Sequence, residues 1–248
     1  MKLNCILIAC LLYGSILVFS PNKIIAQDTV SESTFYQEAL VNTMALYHQS
    51  FGNQSALYNG RIYGEYLFRF IGGHPFFDSP DPVAGSVLFD GIRYDSIFMR
   101  YDEIRDILVI NSQANRIQLF SEKVEYFRLF NSDFLRLVKD SLTNNLVSTG
   151  FYNLLYKGKI SLLKKQIKTI REVITTTELQ HFADTKDYYY IKSDDGIYPI
   201  RNKKDLFKFF GEKKKDMQQF IRANHLNFRK DRQNTLTKAT AYYDSLKK

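Results

Sequence analysis

The chain of 248 residues contains no tryptophan, four histidines and two cysteines. The histidines lie far apart, at His48, His74, His181 and His225, without the close spacing of metal ligands. The sequence also lacks the phosphate-binding motifs G-x-x-x-x-G-K-[ST] and G-x-G-x-x-G, the zinc-hydrolase motif H-E-x-x-H and the serine-hydrolase motif G-x-S-x-G. We therefore expect no metal, no cofactor, no catalytic residue and a role other than catalysis.

The sequence contains no apolar run of the length that a membrane-spanning helix needs. The longest run extends from Cys5 to Phe19, about 15 residues, whereas a span needs roughly 20. Lys2 precedes this run, and Ile24-Ile25-Ala26 follows it with a small residue at its end. This arrangement predicts a secretory signal peptide, residues 1–26, that is cut before Gln27. A retained membrane anchor is the alternative.

Both cysteines, Cys5 and Cys10, lie in the segment that we expect to be removed. Leu7-Ile8-Ala9 before Cys10 loosely imitates a lipoprotein signal, but the apolar run continues to Phe19, which argues against lipidation there. The mature chain then has no disulfide, no thiolate ligand and no cysteine nucleophile. Its stability must come from a hydrophobic core, for which 17 tyrosines and 20 phenylalanines provide material.

The beginning of the mature chain has helical periodicity. Apolar residues recur at steps of three and four between Ser33 and Phe51, which predicts an amphipathic helix that ends at Gly52. The period then changes to two in LYNGRIYGEYLFRF, which predicts a half-buried strand or hairpin. The residues on its apolar face are Tyr58, Ile62, Tyr66, Phe68 and Phe70.

Four aspartates lie among aromatic and aliphatic residues in GSVLFDGIRYDSIFMRYDEIRDILVI, residues 85–110. Asp90-Gly91 between two apolar segments is typical of a β-hairpin, because its type I′ turn needs positive φ. We interpret Asp90, Asp102 and Asp106 as turn residues and Asp95 as an outward-facing strand residue. The alternative is a catalytic carboxylate pair.

Alternation and turn residues predict further strands. Gly150–Lys157 alternates along its length, and Asp194-Asp195-Gly196 predicts a hairpin between residues 188–192 and 197–200. Residues 159–174 fit either a strand or a basic helix. The other predicted strands are residues 107–110, 116–120 and 124–130. We expect about eight or nine short strands in an antiparallel sheet that curls or stacks.

Residues 201–248 combine helical periodicity with strong positive charge. Three apolar stripes, the first ended by Gly211, predict three short helices. This segment holds 14 Lys or Arg against 5 Asp or Glu, and the whole chain has a net charge of +8. The candidate anion-binding residues are Lys213, Lys214, Lys215, Arg229, Lys230 and Arg232. A solvated helix face is the plainer interpretation of the three lysines.

These patterns together predict an α+β fold. We expect a β-rich antiparallel sheet, as a curved sheet, an open barrel or a sandwich, with an N-terminal helix and short C-terminal helices. Residues 27–200 would form the β-rich domain, and residues 201–248 would pack on it as a basic helical segment. Because we expect export, the partner is an envelope protein, a lipid or an anionic glycan rather than nucleic acid.

Two alternatives to a general binding role depend on named residues. The first is an envelope lipid or lipoprotein carrier, in which a curved sheet holds an acyl chain and a cavity stays open between sheet and helices. Its apolar ligand face would consist of Tyr58, Ile62, Tyr66, Phe68 and Phe127. The second is a hydrolase that uses His74, in a Gly-rich loop, with a nearby aspartate.

The sequence also contains a modification motif and resembles a family of exported proteins. Asp, then Ser or Thr, then an aliphatic residue occurs four times and resembles the acceptor motif for O-glycosylation of exported Bacteroidota proteins; Thr29 is the candidate. The chain resembles an exported envelope family of Bacteroidota that has no established activity. The resemblance is carried by residues 85–110 and by the segments TGFYNLLYKGKISLL, YYYIKSDDGIYPI and KKDLFKFFGEKKKDMQQFIRANHLNF. The resemblance covers most of the mature chain and implies export, but it transfers no functional residue.

Overall fold

The computed structural model describes Thr43 and residues 56–112, 115–139 and 147–246. The strands within these residues are β1 (Arg61–Ile62), β2 (Phe70–Gly72), β3 (Val83–Phe89), β4 (Ile92–Asp102), β5 (Ile107–Asn111), β6 (Arg116–Gln118), β7 (Val124–Leu129), β8 (Ser132–Leu137), β9 (Gly150–Lys157), β10 (Ser161–Ile174), β11 (Leu179–Ser193) and β12 (Gly196–Pro199). The helices are α1 (Lys203–Phe210), α2 (Lys214–Ala223) and α3 (Arg232–Leu246). The predicted signal peptide and the predicted helix of residues 33–51 lie outside the described residues.

All twelve of these strands belong to one sheet. The strand order is β1-β6-β5-β4-β3-β7-β8-β9-β10-β11-β12, and neighbours in this order are antiparallel. β2 pairs with β11 in parallel, with Phe70 opposite His181. The sheet is therefore open and mixed. The β-rich fold with helices after the sheet is confirmed, whereas the expected antiparallel sheet of about eight or nine strands differs in its one parallel pair and in its number of strands.

The β3–β4 hairpin forms where the sequence predicts it. Asp90 and Gly91 form its turn with φ of 54° and 75°, the positive values that a type I′ turn needs. The pairing of Phe89 with Ile92 closes the hairpin directly beside this turn. The hairpin predicted at Asp194-Asp195-Gly196 also forms, because β11 and β12 pair on either side of it.

The strand predicted in LYNGRIYGEYLFRF is wrong for most of its length. Only Arg61–Ile62 and Phe70–Gly72 pair with other strands in this segment. The rings of Tyr66, Phe68 and Phe70 instead contact one another, with centroids 5.3 to 5.8 Å apart. The alternation of aromatic residues therefore builds a cluster of rings here and does not mark one face of a strand.

The ambiguous segment of residues 159–174 forms β10, a long strand that pairs with β11 from Ser161 to Ile174. β9 accompanies β10 only as far as Lys164. The turn between β4 and β5, residues 103–106, lies beyond that point: Phe151 N–H donates to Asp106 Oδ1 at 3.3 Å, and Lys168 N–H donates to the Glu103 carbonyl oxygen at 3.4 Å. This β4–β5 turn thus fills the fork where β10 leaves β9.

Buried apolar side chains form two large clusters and two smaller ones in the described residues. The sheet core lies against β3, β4, β7 and β9 and includes Val87, Met99, Tyr101, Phe127 and Phe151. The helix core joins β10 and β11 to the three helices and includes Leu162, Ile191, Leu206, Phe210, Met217 and Leu236. Each of these helix-core side chains is at most 1 % exposed. Close packing between sheet and helices therefore leaves this interior filled.

Candidate functional site

A cleft of about 510 Å³ lies beside the edge strand β12, where α1 and α3 meet the sheet. We call it the edge cleft. Its lining comes from the β11–β12 hairpin, from the segment that links β12 to α1, from α1 itself, and from one residue of α3. The lining side chains that matter for binding are Tyr198, Arg201, Asp205, Lys208, Phe209 and Tyr243.

Three aromatic rings form one wall of the edge cleft. The Phe209 ring lies 5.2 Å from the Tyr198 ring and 5.5 Å from the Tyr243 ring, measured between centroids. Tyr243 is buried, whereas Tyr198 is 38 % exposed. The wall is thus anchored in the helix core and open to solvent at its outer end. A flat apolar surface can pack against it.

Two cations stand beside this aromatic wall. Arg201 and Lys208 are exposed, and the ion pairs among the described residues leave both without an acidic partner. The Asp205 carboxylate, also in the lining, is already engaged, since it accepts the N–H groups of Arg201 and Asn202 at 2.9 and 3.3 Å. The two cations therefore remain available to a negatively charged ligand.

A capping box holds the cationic side of the cleft in place. Asn202 Oδ1 accepts the N–H groups of Lys204 and Asp205, at 2.8 and 3.1 Å, while Asp205 bonds back to the N–H of Asn202. Arg232 of α3 holds the same segment, because its Nη2 donates to the carbonyl oxygens of Ile200 and Arg201. The backbone that carries Arg201 is thus held at both ends.

A second group of charged residues is buried in the fork beside β10. Lys164, Lys165 and Lys168 are each less than 10 % exposed, although they lie within one short stretch of strand. Their ion pairs are Lys164–Asp187 at 3.8 Å, Lys165–Asp106 at 2.6 Å and Lys168–Glu103 at 3.1 Å. Two of these acids belong to the β4–β5 turn, so the lysines connect that turn to β10.

Burial shifts the proton affinities in this group. Desolvation raises the pKa of Glu103 to about 7, although the nearby Lys168 acts in the opposite direction. Desolvation also lowers the pKa of Lys165, against the opposing effect of Asp106. Shifted values of this kind often accompany active sites. Here Glu103 and Lys165 are 3 % and 5 % exposed, so a ligand has no access and the group holds the β4–β5 turn against β10.

Asp102, predicted as a turn residue, is the fully buried last residue of β4. Its carboxylate accepts the hydroxyl groups of Tyr63 and Tyr66, at 2.9 and 3.0 Å, and the N–H groups of Ile104 and Arg105. Burial, and then the charge of Asp102, raises the pKa of both tyrosines. Asp102 therefore shapes the β4–β5 turn, as predicted, from a buried position that the sequence did not indicate.

The other three aspartates of residues 85–110 also have structural surroundings. Asp90 lies in the hairpin turn, and Asp106 lies in the β4–β5 turn with φ of 58°. Asp95 faces outward and pairs with Arg93 at 2.9 Å, at an exposed position. The Asp106 carboxylate accepts hydrogen bonds from Tyr101 and Lys165, which are not partners of Asp102. This arrangement gives no support to a catalytic carboxylate pair.

His74 is partly buried, and the charges of both Lys168 and Asp78 act on it. Burial lowers its pKa, and the charge of Lys168 adds to the effect. No aspartate side chain among the described residues makes a hydrogen bond with its ring, and its Nδ1 is buried without a described partner. The geometry that a histidine–aspartate hydrolase needs is therefore not assembled around His74.

The residues of the predicted apolar ligand face do not form one surface. Ile62 is 75 % exposed on the edge strand β1, whereas Phe127 is fully buried in the sheet core. Tyr58 packs against that core, while Tyr66 and Phe68 belong to the ring cluster, where Phe68 stacks on His181 at 3.8 Å. The prediction of a shared face was wrong because it joined residues from unrelated strands and loops.

The predicted anion-binding residues are divided by the fold. Lys213, Lys214 and Lys215 are exposed at the start of α2, and Arg229 and Lys230 are exposed in the loop before α3. Arg232 is different, because it is half-buried between the rings of Tyr189 and Phe228, at 4.8 and 5.1 Å. Its inclusion in an anion-binding surface was wrong, since its guanidinium group is used inside the protein.

The glycosylation motifs differ in accessibility. Thr29 and the copy at residues 140–142 lie outside the described residues. Ser96 is exposed on an irregularity of β4, with φ of 58°. Ser245 lies on α3, and its hydroxyl group donates to the Tyr242 carbonyl oxygen at 2.6 Å. Of the two described copies, Ser96 is thus the exposed one at an irregular position of a strand.

The edge cleft was not predicted from the sequence. The segment YPIRNKKDLFKFF contains its cationic residues and its aromatic residues except Tyr243, and their mixture was the available signal. Alternation assigned Tyr198 to a strand, and helical periodicity assigned Phe209 to a helix. Their contact with each other and with Tyr243 depends on how α1 and α3 pack, which periodicity does not report.

Comparison with protein-family models, curated proteins and solved structures finds no match to this chain. Within the described ranges, no helix combines the length and the hydrophobicity needed to cross a membrane.

Proposed function

We propose that the protein is exported by a signal peptide at residues 1–26 and acts in the cell envelope by binding, not by catalysis. The charge and hydrophobicity of the first residues support export, and the resemblance to exported Bacteroidota proteins supports an envelope location. The observation that carries the binding role is the edge cleft, an open space lined by aromatic rings and by two cations that form no ion pair with the described residues.

We infer in addition that the sheet is strongly curved. β4 and β10 are five steps apart in the strand order, which in a flat sheet corresponds to about 24 Å at a spacing of about 4.8 Å. The backbone contact of 3.4 Å between Lys168 and Glu103 supports a curved shape, because it joins β10 to the end of β4. An N-terminal helix at residues 33–51 remains part of this proposal.

The chemistry of the edge cleft fits an anionic glycan. The apolar face of a sugar ring packs well on an aromatic wall such as that of Tyr198 and Phe209. Arg201 and Lys208 supply charge-assisted hydrogen bonds for a carboxylate, sulfate or phosphate on the sugar. The positive charge of residues 201–248 adds a favourable long-range field.

The packing between sheet and helices argues against the lipid carrier. An acyl chain needs an open apolar cavity, whereas Leu162, Ile191 and Leu206 fill this interior at 0 % exposure. The edge cleft lies outside the helix core and is bordered by charged side chains. A polar, ring-shaped ligand suits it better than a hydrocarbon chain.

Calorimetry with two trisaccharides tests this proposal. We expect a galacturonate trisaccharide to bind and the matching galactose trisaccharide, which lacks the carboxylates, to bind much more weakly. Lys208→Ala should weaken galacturonate binding about tenfold, since a charge-assisted hydrogen bond contributes about 1.5 kcal/mol or more and 1.4 kcal/mol corresponds to a factor of ten.

Lys204→Ala provides the matched control. Lys204 is an exposed lysine of the same helix, but it does not line the edge cleft. Both variants remove one positive charge, so a general electrostatic attraction to the basic segment lowers affinity equally in both. Equal loss in the two variants, or equal binding of both trisaccharides, would contradict a site at the edge cleft.

A further inference from the structure

Within the part of the chain that the structure describes, the second half of β10 has an open hydrogen-bonding edge. β9 pairs with β10 only at Ser161–Lys164, and the β4–β5 turn reaches β10 as far as Lys168. On the side away from β11, no described strand pairs with residues 169–174. Five of these six residues are exposed, and Val173 is half-exposed. A free strand edge of this length is a template for another strand.

The direction of the free groups follows from two backbone hydrogen bonds. Lys168 N–H points away from β11, because it donates to the Glu103 carbonyl oxygen, and Thr175 N–H points toward the β11 side, because it donates to the Glu178 carbonyl oxygen. Bonding direction alternates along an antiparallel strand. The N–H and C=O groups of Ile170, Glu172 and Ile174 therefore point outward from the edge.

The side chains along this edge form a defined pattern. Ile170, Glu172 and Ile174 share one face of the hairpin because the side-chain period is two. Ile170 and Ile174 are 37 % and 86 % exposed, and Leu179, paired with Ile174, is 48 % exposed. The Glu172 side chain between them lies 3.4 Å from His181 Nε2 of β11 and is still 58 % exposed. The edge thus presents an acidic group between two apolar ones.

Residues 169–174 have few of the features that usually keep an exposed strand edge from pairing with another chain. The segment contains no proline, and its register with β11 is continuous, without a bulge. Its one basic side chain, Arg171, is turned to Asp184 of β11 at 2.6 Å. Such an edge, with two exposed isoleucines, is suited to pairing with an extended segment.

We propose that residues 169–174 bind an extended segment of a different protein as an added β-strand. The complementary segment carries a basic residue opposite Glu172 and apolar residues opposite Ile170 and Ile174. A second copy of this chain fits poorly. Symmetric pairing over these residues places the twofold axis at Arg171 or Glu172, so that two like charges face each other.

Two capped peptides probe the edge directly. The first has the order isoleucine, threonine, lysine, threonine, isoleucine, and the second has glutamate in place of lysine. Amide NMR spectra of the whole chain are recorded with each peptide. We expect the lysine peptide to shift the amide signals of Ile170, Glu172 and Ile174 and to protect them from exchange. The glutamate peptide should bind about fivefold more weakly.

Three variants distinguish this edge from other binding surfaces. Ile170→Pro removes an outward N–H that no described residue accepts, and should abolish peptide binding while the β10–β11 ladder stays intact. If that variant is misfolded by circular dichroism, Ile170→Lys gives the same test without a change in the backbone. Glu172→Lys should reverse the preference between the two peptides.

Each other outcome overturns the proposal. Absence of binding, or binding that is unchanged in Ile170→Pro and Ile170→Lys, rules out the edge as the site. A concentration-dependent doubling of mass that is lost in these variants assigns the edge to a second copy of the chain instead. These variants do not change the edge cleft. Whether they bind a glycan is therefore independent of whether they bind the peptides.

Discussion

At the scale of residues, burial of charge is the main feature that composition did not reveal. Three lysines of one strand are buried with acidic partners, and two of those partners come from the β4–β5 turn. Removal of one partner from such a pair leaves a buried charge without compensation and is strongly destabilising. The chain thus uses ion pairs where β10 separates from β9.

Glu103 gives this molecule a pH-dependent stability that can be measured. Its pKa is about 7 in the folded protein against 4.5 for an exposed side chain. Between these values the folded state binds more protons than the unfolded state, so the free energy of unfolding decreases as pH rises from 4.5 to 7. The full effect of this residue is about 3 kcal/mol, at about 1.4 kcal/mol for each pKa unit.

Urea denaturation at pH 5 and pH 8 checks this prediction. The wild-type chain should lose stability at the higher pH, and Glu103→Gln, which cannot ionise, should lose distinctly less. Glu125→Gln, at an exposed position of β7, serves as the control and should behave as the wild type. The same decrease in all three proteins would show that Glu103 is not responsible.

The aspartates show how far single residues can be interpreted from sequence. Asp90-Gly91 was predicted correctly because a type I′ turn depends on two adjacent residues. Asp102 also ends a strand at a turn, as predicted. Its burial depends on Tyr63 and Tyr66, which lie far away in the sequence, and no local pattern reports such a contact.

At the scale of elements, the C-terminal helices were the easier part to predict. Their apolar stripes have the helical period, and Gly211 ends α1 with φ of 53°. β10 was ambiguous because buried lysines lie on both of its faces, which removes the alternation expected of a strand. The strand in LYNGRIYGEYLFRF was overpredicted because its rings alternate for a tertiary reason, the cluster on His181.

The capping box of α1 connects the stability of an element to the edge cleft. Asn202→Ala removes two hydrogen bonds to the first turn of α1, so the free energy of unfolding should fall by about 1 kcal/mol. The same change loosens the backbone of Arg201, and galacturonate binding should weaken. Asn202→Asp keeps the cap and should preserve both properties. A stable Asn202→Ala protein with normal affinity would contradict this connection.

At the scale of the whole molecule, the fold class could be predicted but the position of the site could not. Strand and helix content follow from periodicities of two and of three to four residues. The edge cleft requires Tyr198, Phe209 and Tyr243, from three elements, to meet at one place. The contacts among these three side chains depend on how the helix core packs, and the pattern of a single sequence does not show which residues come into contact.

Native mass spectrometry of the protein purified gently from its own cell envelope tests the central claim most directly. We predict a polypeptide that begins at Gln27 and carries a sugar-sized anionic adduct, which is lost on denaturation and absent from Lys208→Ala. Sugar that persists after denaturation is covalent and belongs to the glycosylation motifs, such as Ser96 or Thr29. A lipid adduct, or a bare chain that binds no anionic glycan, would contradict the account.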